Sequence, residues 1–569
     1  MPLCGRDLIR ARIEKWIEAF DKGYRQNMGL LGHSGLGKTR VLLEIYQDLT
    51  ARNASMIPVY VDARTLDFEH FIDRWLGALL CGAFVSRKRV PPSDFQSLLA
   101  GAGLLIPKTV EKIRHFKKII RREKPSVILK ELFSFPESLH RETGCKVIMM
   151  IDEFEALSAL PVCDPFAVLG REIMIEKNVL YLAASSKPLK AREIFRDKLS
   201  LLFGNFEIME FGHLGFEEAA RFFESRLLGK KLSPAQRRFL IRMTDGHPLY
   251  LELLADRLES FFIQQKQRRD GTEAASASSF VPQELIFEIF LRELLDVKGR
   301  IALLFEKRLQ TGMGFFKDAS AGVRSLLAIS QGRRRVLTIA AFIGRKVEET
   351  KKILQRFVHE DLVSKRGVFY LIEDPLLRFW LTEVYQKRNQ IYRPGTQALS
   401  ESIVSALKRD FESTEREEKM DITARVEALF KEFRNDVLEL GEKKIKCPQF
   451  SEIAFRPTNG RVFPVFAKSP KARWLCQIAQ QTVHEEDVVS FLEELKRTRK
   501  NVQRKVMIIL RGIDQNAKLM AQQAHIHLWG LRSFNALLEL YNLPKMILLS
   551  EREEDGPALG ALAQSLYSA

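Results

Sequence analysis

Cysteine is scarce in this chain, with 6 residues in 569, and no two of them form a Cys-x-x-Cys pair. That spacing is the usual sign of a zinc site or a redox motif, so neither is expected. A disulfide framework is also not indicated, because such frameworks belong to short chains that are dense in cysteine. We predict reduced and mostly buried thiols at Cys4, Cys81, Cys145, Cys163, Cys447 and Cys476.

Long apolar runs are also missing from the sequence. No stretch approaches the roughly 18 apolar residues that a helix needs to cross a bilayer. The segment from Met1 to Asp7 does not combine a basic start with an apolar run, so a secretory signal is not expected. These features together predict a cytoplasmic protein without a membrane partner.

Acidic residues are outnumbered, since 72 aspartates and glutamates face 90 lysines and arginines, a formal net charge of +18. Such an excess favours polyanionic partners, of which nucleic acid is the leading candidate. A solvated basic surface that only keeps the chain dispersed explains the same charge equally well. Charge alone therefore leaves the partner open.

The length of the chain predicts several domains. Residues 1–212 alternate helical and strand-like patterns, and their short apolar runs, such as Val147 to Ile151, are typical of buried parallel strands. This predicts an α/β fold with a doubly wound parallel sheet. A helical lid is predicted over 213–264, and a flexible linker of small and charged residues over 265–280.

Three further segments are predicted in the second half. Residues 281–390 contain helices followed by two short β-prone runs around Lys365-Arg366-Gly367, which is the outline of a winged helix. Residues 391–440 are predicted to form a charged helical connector. Residues 441–569 are predicted to form a second α/β domain.

A complete phosphate-binding loop, Gly-His-Ser-Gly-Leu-Gly-Lys-Thr, occupies residues 32–39 between an apolar run and a helical pattern. Its glycines allow backbone N–H groups to converge on phosphate oxygens at a helix N-terminus. Lys38 is expected to reach the β- and γ-phosphates of ATP, and the Thr39 hydroxyl to ligate Mg²⁺. The residues of this region expected to bind nucleotide are Gly32, Ser34, Gly35, Leu36, Gly37, Lys38, Thr39 and Arg40.

A second motif ends an apolar strand with two acids, Asp152 and Glu153. Asp152 is predicted to face the metal, and Glu153 to orient or deprotonate the attacking water. Acids also follow strands as helix caps, but their pairing with the loop favours the metal-binding interpretation. One strand later, Ser185 or Ser186 could sense the γ-phosphate, with Ser185 the first choice, or serve only in a turn.

Four segments carry a resemblance to a known family: Cys4 to Asp7, Ile151 to Glu155, Ala184 to Ser186 and Asp245 to Pro248. Together they resemble archaeal-type P-loop ATPases of the STAND class, relatives of the AAA+ and origin-recognition ATPases. The resemblance implies that Gly5 and Arg6 lie near the adenine, and that Gly246 and Pro248 of the lid contact or sense the nucleotide.

The chain departs from this family at two places. Leu3, Cys4 and Asp7 replace the usual residues of the Gly-Arg-acid box, and Phe203 to Phe206 stands where many relatives carry Gly-Arg. An arginine finger would then have to come from elsewhere. Arg192 and Arg196 are the candidates, although a solvated helix face is the more common role for a lone arginine.

The second half of the chain carries two further resemblances. Phe369 to Trp380 resembles the winged-helix exit of the same ATPases, and 441–569 resembles the restriction-endonuclease-like domain fused to them. In that fold an aspartate and a Glu-x-Lys pair hold a metal and position water. The matching places here hold Pro464, Gln477 and Ala479, so the resemblance implies a domain that is inactive as a nuclease.

Two functions remain open at this point. The first is an ATP-hydrolysing molecular switch in which nucleotide state controls nucleic-acid binding. The second is a signalling or chaperone-like ATPase scaffold with protein partners, and a nucleotide-dependent oligomer is compatible with both. The basic residues expected to contact phosphates in the first case are Arg333, Arg334, Arg335, Lys365 and Arg366.

Overall fold

The computed structural model divides into two compact units. Unit 1 contains Met1–Phe222 and Gly246–Glu252, and unit 2 contains Phe223–Asp245 and Leu253–Ala569. The structure describes residues 6–52, 55–65, 67–199, 206–269, 280–296, 298–314, 318–388, 397–440, 443–455, 462–469, 472–498 and 502–548.

Unit 1 alternates strands and helices. Its strands are β1 (Asn27–Leu31), β2 (Met56–Asp62), β3 (Lys146–Asp152), β4 (Val179–Ser185) and β5 (Phe206–Glu210). Its helices are α1 (Asp7–Asp21), α2 (Lys38–Ala51), α3 (Phe68–Ser86), α4 (Phe95–Ala102), α5 (Pro107–Ile119), α6 (Pro125–Phe133), α7 (Phe135–Thr143), α8 (Pro165–Ile175), α9 (Pro188–Glu193) and α10 (Phe216–Glu224), which ends in unit 2. The strands form one five-stranded sheet in the order β2-β3-β4-β1-β5.

All neighbouring strands of this sheet run parallel, and both of its faces are apolar. Side chains such as Leu30, Met150 and Leu182 bury one face against α1 and α2. The alternate side chains, such as Met149 and Tyr181, bury the other face against the helices that follow β2. Burial on both faces explains why the strands are continuous apolar runs. The predicted α/β fold is confirmed, with a strand order typical of P-loop NTPases.

Five helices, α3 to α7, stand between β2 and β3, an insertion that the sequence pattern did not delimit. Their large aromatic side chains, including Trp75, Phe116 and Phe133, are fully buried in the same core as the sheet. The insertion is therefore an integral layer of unit 1.

Unit 2 is helical at first and then becomes mixed. Its helices are α11 (Pro234–Thr244), α12 (Pro248–Arg269, which begins in unit 1), α13 (Gln283–Leu295), α14 (Arg300–Met313), α15 (Ala319–Ser330), α16 (Val336–Ile343), α17 (Val347–His359), α18 (Pro375–Phe379), α19 (Gln386–Arg388), α20 (Gln397–Glu418), α21 (Ile422–Glu432), α22 (Glu485–Arg497), α23 (Gln515–Gln523) and α24 (Leu531–Leu540). Its strands are β6 (Ser364–Arg366), β7 (Phe369–Leu371), β8 (Asp436–Leu440), β9 (Lys443–Cys447), β10 (Glu452–Phe455), β11 (Val462–Lys468), β12 (Arg473–Ala479), β13 (Arg504–Ile509) and β14 (His527–Gly530).

The C-terminal sheet is mixed and has the order β10-β11-β12-β13-β14. The pairs from β10 to β12 are antiparallel, and those from β12 to β14 are parallel. In this register Pro464 of β11 pairs with Gln477 of β12, so two of the three places expected to have lost nuclease side chains lie side by side. Ala479 pairs with Val462 at the end of the same two strands.

The predicted segment boundaries differ from the observed packing in two places. Helix α12 continues to Arg269, within the predicted linker, and 270–279 lies outside the described residues. The predicted connector contains two packed helices instead. Phe411 of α20 contacts Phe239 of α11, with ring centroids 5.4 Å apart. Phe430 of α21 is buried in the hydrophobic core of the C-terminal sheet. The predicted domain boundary at residue 441 would therefore cut through this core.

The hairpin of the predicted winged helix packs on the C-terminal domain. Its turn lies at Gly367 and Val368, because Arg366 pairs with Phe369, so Lys365 and Arg366 of the predicted turn belong to β6 instead. A Cβ built on Gly367, which has a φ of +67°, would lie 2.1 Å from the Val437 carbonyl oxygen. Phe369 belongs to the same hydrophobic core as the C-terminal sheet. The hairpin is therefore part of an internal interface.

The basic residues beside this hairpin are mostly engaged within the protein. Arg334 is only 8% exposed, and Arg335 Nη2 donates to both carboxylate oxygens of Asp436, at 3.0 and 2.9 Å. Arg366 Nη2 donates to Glu373 at 2.6 Å. The prediction that these arginines present themselves to a duplex is wrong for Arg334, which is buried. Arg335 pairs with Asp436 but its side chain is 39% exposed, so its contact with a duplex stays a prediction. Arg333 lies over the Phe342 ring at 4.2 Å.

Among the described residues, no helix is both long enough and apolar enough to cross a lipid bilayer.

Candidate nucleotide-binding site

The predicted phosphate-binding loop joins the end of β1 to the start of α2. Gly35 and Gly37 have φ values of +81° and +91°, a conformation that favours glycine. A Cβ on Gly32 would lie 2.6 Å from the Phe211 carbonyl oxygen, and one on Gly35 would lie 2.7 Å from His247 Cε1. The glycines therefore allow both the turn itself and the close approach of neighbouring chain, and the turn ends at a helix N-terminus.

Lys38 is the first residue of α2, and its side chain reaches back into this turn, so that the residue is only 3% exposed. Its Nζ donates to the carbonyl oxygens of Gly32 at 2.6 Å and His33 at 2.9 Å. Burial lowers the pKa of Lys38 to about 8, against the opposing effect of the nearby acids Glu153 and Asp152. The turn thus holds a cation whose desolvation a bound phosphate would offset.

Asp152 stands at the end of β3 and is bound on both carboxylate oxygens. Oδ2 accepts hydrogen bonds from Thr39 Oγ1 at 2.6 Å and from the Tyr60 hydroxyl at 3.0 Å, and Oδ1 accepts one from the Glu153 N–H at 3.0 Å. The structure therefore brings the predicted metal pair, Thr39 and Asp152, into direct contact.

Hydroxyl and carboxylate oxygens are the donors that Mg²⁺ prefers, and it is usually held by one or two protein oxygens together with substrate phosphates. Within the described ranges, no group of three or more His, Cys, Asp and Glu side chains is arranged to hold a metal. Thr39 and Asp152 therefore fit a Mg²⁺ ion whose other ligands come from a bound nucleotide and water. They do not form a metal site made of protein ligands alone.

Glu153 follows with a φ of +51°, which is uncommon for a residue other than glycine. Its Oε1 accepts a hydrogen bond from Ser186 Oγ at 2.9 Å. Burial, followed by the negative charge of Glu155, raises the pKa of Glu153. Glu155 is itself buried and accepts from the Ser186 N–H at 3.3 Å. The carboxylate predicted to direct water is thus oriented by a residue beyond the end of β4.

Ser185, the first choice for a γ-phosphate sensor, is fully buried, and its Oγ accepts from the Lys187 N–H at 3.2 Å. The structure places Ser186 beside Glu153 instead. Strand alternation could have indicated this, since Leu182 and Ala184 face the core around α2, whereas Ala183 faces the opposite core. The same alternation predicts that Ser186, two residues after Ala184, lies on the face of the sheet that is nearer α2.

Arg6 is buried and donates from Nη2 to the carbonyl oxygens of Leu36, at 3.1 Å, and Gly212. Its guanidinium also lies over the Phe211 ring, 5.3 Å from the centroid. Arg6 therefore links the predicted phosphate-binding turn to the segment after β5. Gly5, its predicted partner near the adenine, lies outside the described residues.

The segment Gly246–Glu252 returns to unit 1 beside the turn. His247 Nε2 lies 3.2 Å from the Ser34 carbonyl oxygen, and Arg40 Nη1 lies 3.5 Å from Glu252 Oε1. Pro248 is half-buried as the first residue of α12. Ser34 and Arg40 thus have partners in this segment. Pro248 follows His247, whose contact with the turn the sequence pattern did not indicate.

Three other side chains of the site were missed: Tyr60, Glu155 and Arg64. Arg64 follows β2 and binds the Asp62 carboxylate through Nε, at 3.1 Å, and Nη2, at 2.7 Å. Its bond to Asp62, and the charges of Glu153 and Asp152, raise the pKa of Arg64. The two arginine-finger candidates are exposed and paired locally, Arg192 with Glu210 and Arg196 with Asp197.

No protein-family model matches the chain, and no curated protein matches it. Similar solved structures include a Walker-type ATPase of Pyrococcus abyssi, 14% identical with a TM-score of 0.42, which covers 67% of this chain and 96% of that one. The ORC2 protein of Aeropyrum pernix in ADPNP and ADP complexes is 11% identical, with a TM-score of 0.42 and coverages of 72% and 96%. The ORC1 protein of Aeropyrum pernix in complex with DNA is 15% identical, with a TM-score of 0.35 and coverages of 68% and 95%. Because these identities and TM-scores are low, what the site binds has to be inferred from its own residues.

Proposed function

We propose that this chain binds and hydrolyses ATP with Mg²⁺ and acts as a molecular switch of the STAND class. The observation that carries the proposal is the contact of Thr39 Oγ1 with Asp152 Oδ2, at 2.6 Å, beside the buried Lys38. It joins a phosphate-binding turn to an acidic strand end, which is the arrangement that phosphoryl transfer from a nucleotide requires.

Each part of the site has a distinct task in this reaction. Backbone N–H groups of the turn and the N-terminus of α2 bind phosphate oxygens, and Lys38 supplies a positive charge toward the β- and γ-phosphates. Thr39 and Asp152 would hold Mg²⁺, which neutralises phosphate charge when bound.

Glu153 acts on the water that attacks the γ-phosphorus. As the oxygen of water bonds to phosphorus, the bond to the leaving oxygen of ADP breaks, and Glu153 orients the water or accepts its proton. Ser186 holds the Glu153 carboxylate in place for this step through the 2.9 Å hydrogen bond. A carboxylate whose pKa is raised by burial and by Glu155 is a better proton acceptor than an ordinary one.

Binding and phosphate release by the purified chain test this proposal. We expect saturable ATP binding that Mg²⁺ strengthens, and slow phosphate release. Lys38→Ala should weaken binding at least about tenfold, because a charged contact to phosphate is lost. Lys22→Ala, at an exposed lysine of the same unit, is the matched control. Nucleotide binding that is the same in Lys38→Ala and wild type would overturn the proposal.

Coupling to nucleic acid is the second part of the proposal, and the net charge of +18 supports it. Arg334 is buried and is therefore not part of the surface involved. Binding to duplex DNA should weaken steeply with salt and differ between ATP and ADP. Equal affinity in the two nucleotides, measured by fluorescence titration, would contradict a switch.

A scaffold with protein partners is the second candidate function, and one specific observation favours it. The hairpin that would serve as the wing of a winged helix packs against Val437 and shares a core with the C-terminal sheet. A hairpin packed in this way is occupied by contacts within the chain, which leaves it less available to a duplex. Recovery of bound protein without nucleic acid, from a chain held in its ATP form, would favour the scaffold over the switch.

A further inference from the structure

Tyr60 lies on β2 at a position that faces the nucleotide site. It pairs with Met150 in the parallel register of β2 and β3, two residues before Asp152. Because side chains alternate along a strand, Tyr60 and Asp152 lie on the same face of the sheet. The phenol oxygen lies 3.0 Å from Asp152 Oδ2, to which it donates a hydrogen bond.

The same carboxylate oxygen also accepts the Thr39 hydroxyl hydrogen at 2.6 Å. Thr39 and Asp152 are the residues that would hold the divalent cation, and the phenol contacts Asp152 from the neighbouring strand. Oδ1 accepts the Glu153 N–H at 3.0 Å. Three donors from three places in the chain thus fix the orientation of one carboxylate.

We propose that Tyr60 is a positioning residue for the divalent cation of the nucleotide site, acting by holding the Asp152 carboxylate toward Thr39. The inference rests on the proposed function. Side chains that orient metal ligands commonly contribute about 10- to 100-fold to metal affinity, because a ligand free to rotate must lose that freedom on binding.

One observation distinguishes this role from that of an ordinary core tyrosine. The nearby carboxylate of Asp62 is bound by Arg64, at 2.7 Å from Nη2. The phenol donates to Asp152 instead, so its hydrogen bond is directed at the carboxylate that would hold the cation.

Tyr60→Phe tests the proposal because it removes one oxygen and keeps the ring. Affinity for a fluorescent ATP analogue is measured in EDTA and then at increasing Mg²⁺ concentrations. We expect the half-saturating Mg²⁺ concentration to rise about tenfold or more in Tyr60→Phe, with unchanged affinity in EDTA. Tyr46→Phe is the matched control, since Tyr46 is another partly buried tyrosine packed on the same core. It should behave as wild type.

A double-mutant cycle with Asp152→Asn guards against an indirect effect on folding. If Tyr60 acts through Asp152, Tyr60→Phe should have no further effect on Mg²⁺ dependence in the Asp152→Asn background. An unchanged Mg²⁺ dependence in Tyr60→Phe, with intact nucleotide binding, would overturn this inference alone. Absence of nucleotide binding by the wild-type chain would overturn the proposed function and this inference with it.

Discussion

Ser186 Oγ donates a hydrogen bond of 2.9 Å to Glu153 Oε1, so the residue after β4 orients the carboxylate that follows β3. Because β3 and β4 are neighbours in the sheet, the contact joins two adjacent strand ends. A hydrogen bond to a charged group is worth about 1.5 to 3 kcal/mol. Its loss should therefore be visible in the rate of hydrolysis.

Ser186→Ala is expected to slow phosphate release about tenfold and to leave ATP affinity unchanged, because Glu153 would no longer be held in one orientation. Ser185→Ala is the matched control, since the Ser185 hydroxyl is engaged with the backbone of Lys187. Phosphate release and nucleotide titration measure the two effects separately. A larger loss of rate in Ser185→Ala than in Ser186→Ala would reverse the assignment.

Glu176 should make the stability of the protein depend on pH. It is 1% exposed, and its carboxylate accepts the Tyr181 hydroxyl hydrogen. Burial raises the pKa of Glu176 from 4.5 to about 8. The unfolded chain loses this proton near pH 4.5, whereas the folded chain keeps it to about pH 8. The stability that Glu176 contributes is therefore fully present below pH 4.5 and lost as the pH rises to about 8.

The free energy of unfolding of Glu176→Gln should accordingly fall less than that of wild type between about pH 5 and pH 8, a range over which one such group contributes up to about 1.4 kcal/mol per pH unit. Urea unfolding at several pH values measures this slope. Glu193→Gln, at an exposed glutamate of the same unit, should keep the wild-type slope. Identical slopes in Glu176→Gln and wild type would show that Glu176 ionises freely in the folded protein.

Arg335→Ala is expected to lower the free energy of unfolding by about 2 kcal/mol, because Asp436 would lose its charged partner in a largely buried position. Arg333→Ala removes a neighbouring arginine that rests over the Phe342 ring, and should cost less than about 1 kcal/mol. Urea unfolding followed by tryptophan fluorescence compares the two variants. Equal losses would mean that the Arg335 contact with Asp436 stabilises nothing.

Local pattern was sufficient to predict four strands of unit 1, β1 to β4, and the glycine-rich turn after β1, because apolar runs and glycine spacing report on nearby residues only. Asp152 and Glu153 could be predicted for the same reason. Strand β5 was not predicted. The role of Tyr60 could not be predicted, because its contact with Asp152 depends on β2 lying next to β3 in the sheet. The five helices between these strands separate them widely in the sequence. His247 contacts Ser34, which is 213 residues away in the sequence, and a local sequence pattern cannot predict such a contact.

Charge counting alone could not identify the arginines that are available to a partner, for a related reason. The run from Arg333 to Arg335 is basic in sequence. However, Arg335 pairs with the carboxylate of Asp436, 101 residues away, and Arg334 is buried. A count of charges cannot tell a solvated arginine from one that a distant aspartate has bound. Which arginines remain available to a partner is set by packing between the hairpin and the C-terminal sheet.

Glu153→Gln, compared with wild type, separates nucleotide binding from hydrolysis, because it replaces one carboxylate oxygen by an amide nitrogen. The substitution keeps the size of the side chain and leaves Lys38, Thr39 and Asp152 in place. We predict that Glu153→Gln binds ATP with Mg²⁺ as wild type does, and releases phosphate at least about 100-fold more slowly. Phosphate release at the wild-type rate, with nucleotide binding intact, would contradict the account.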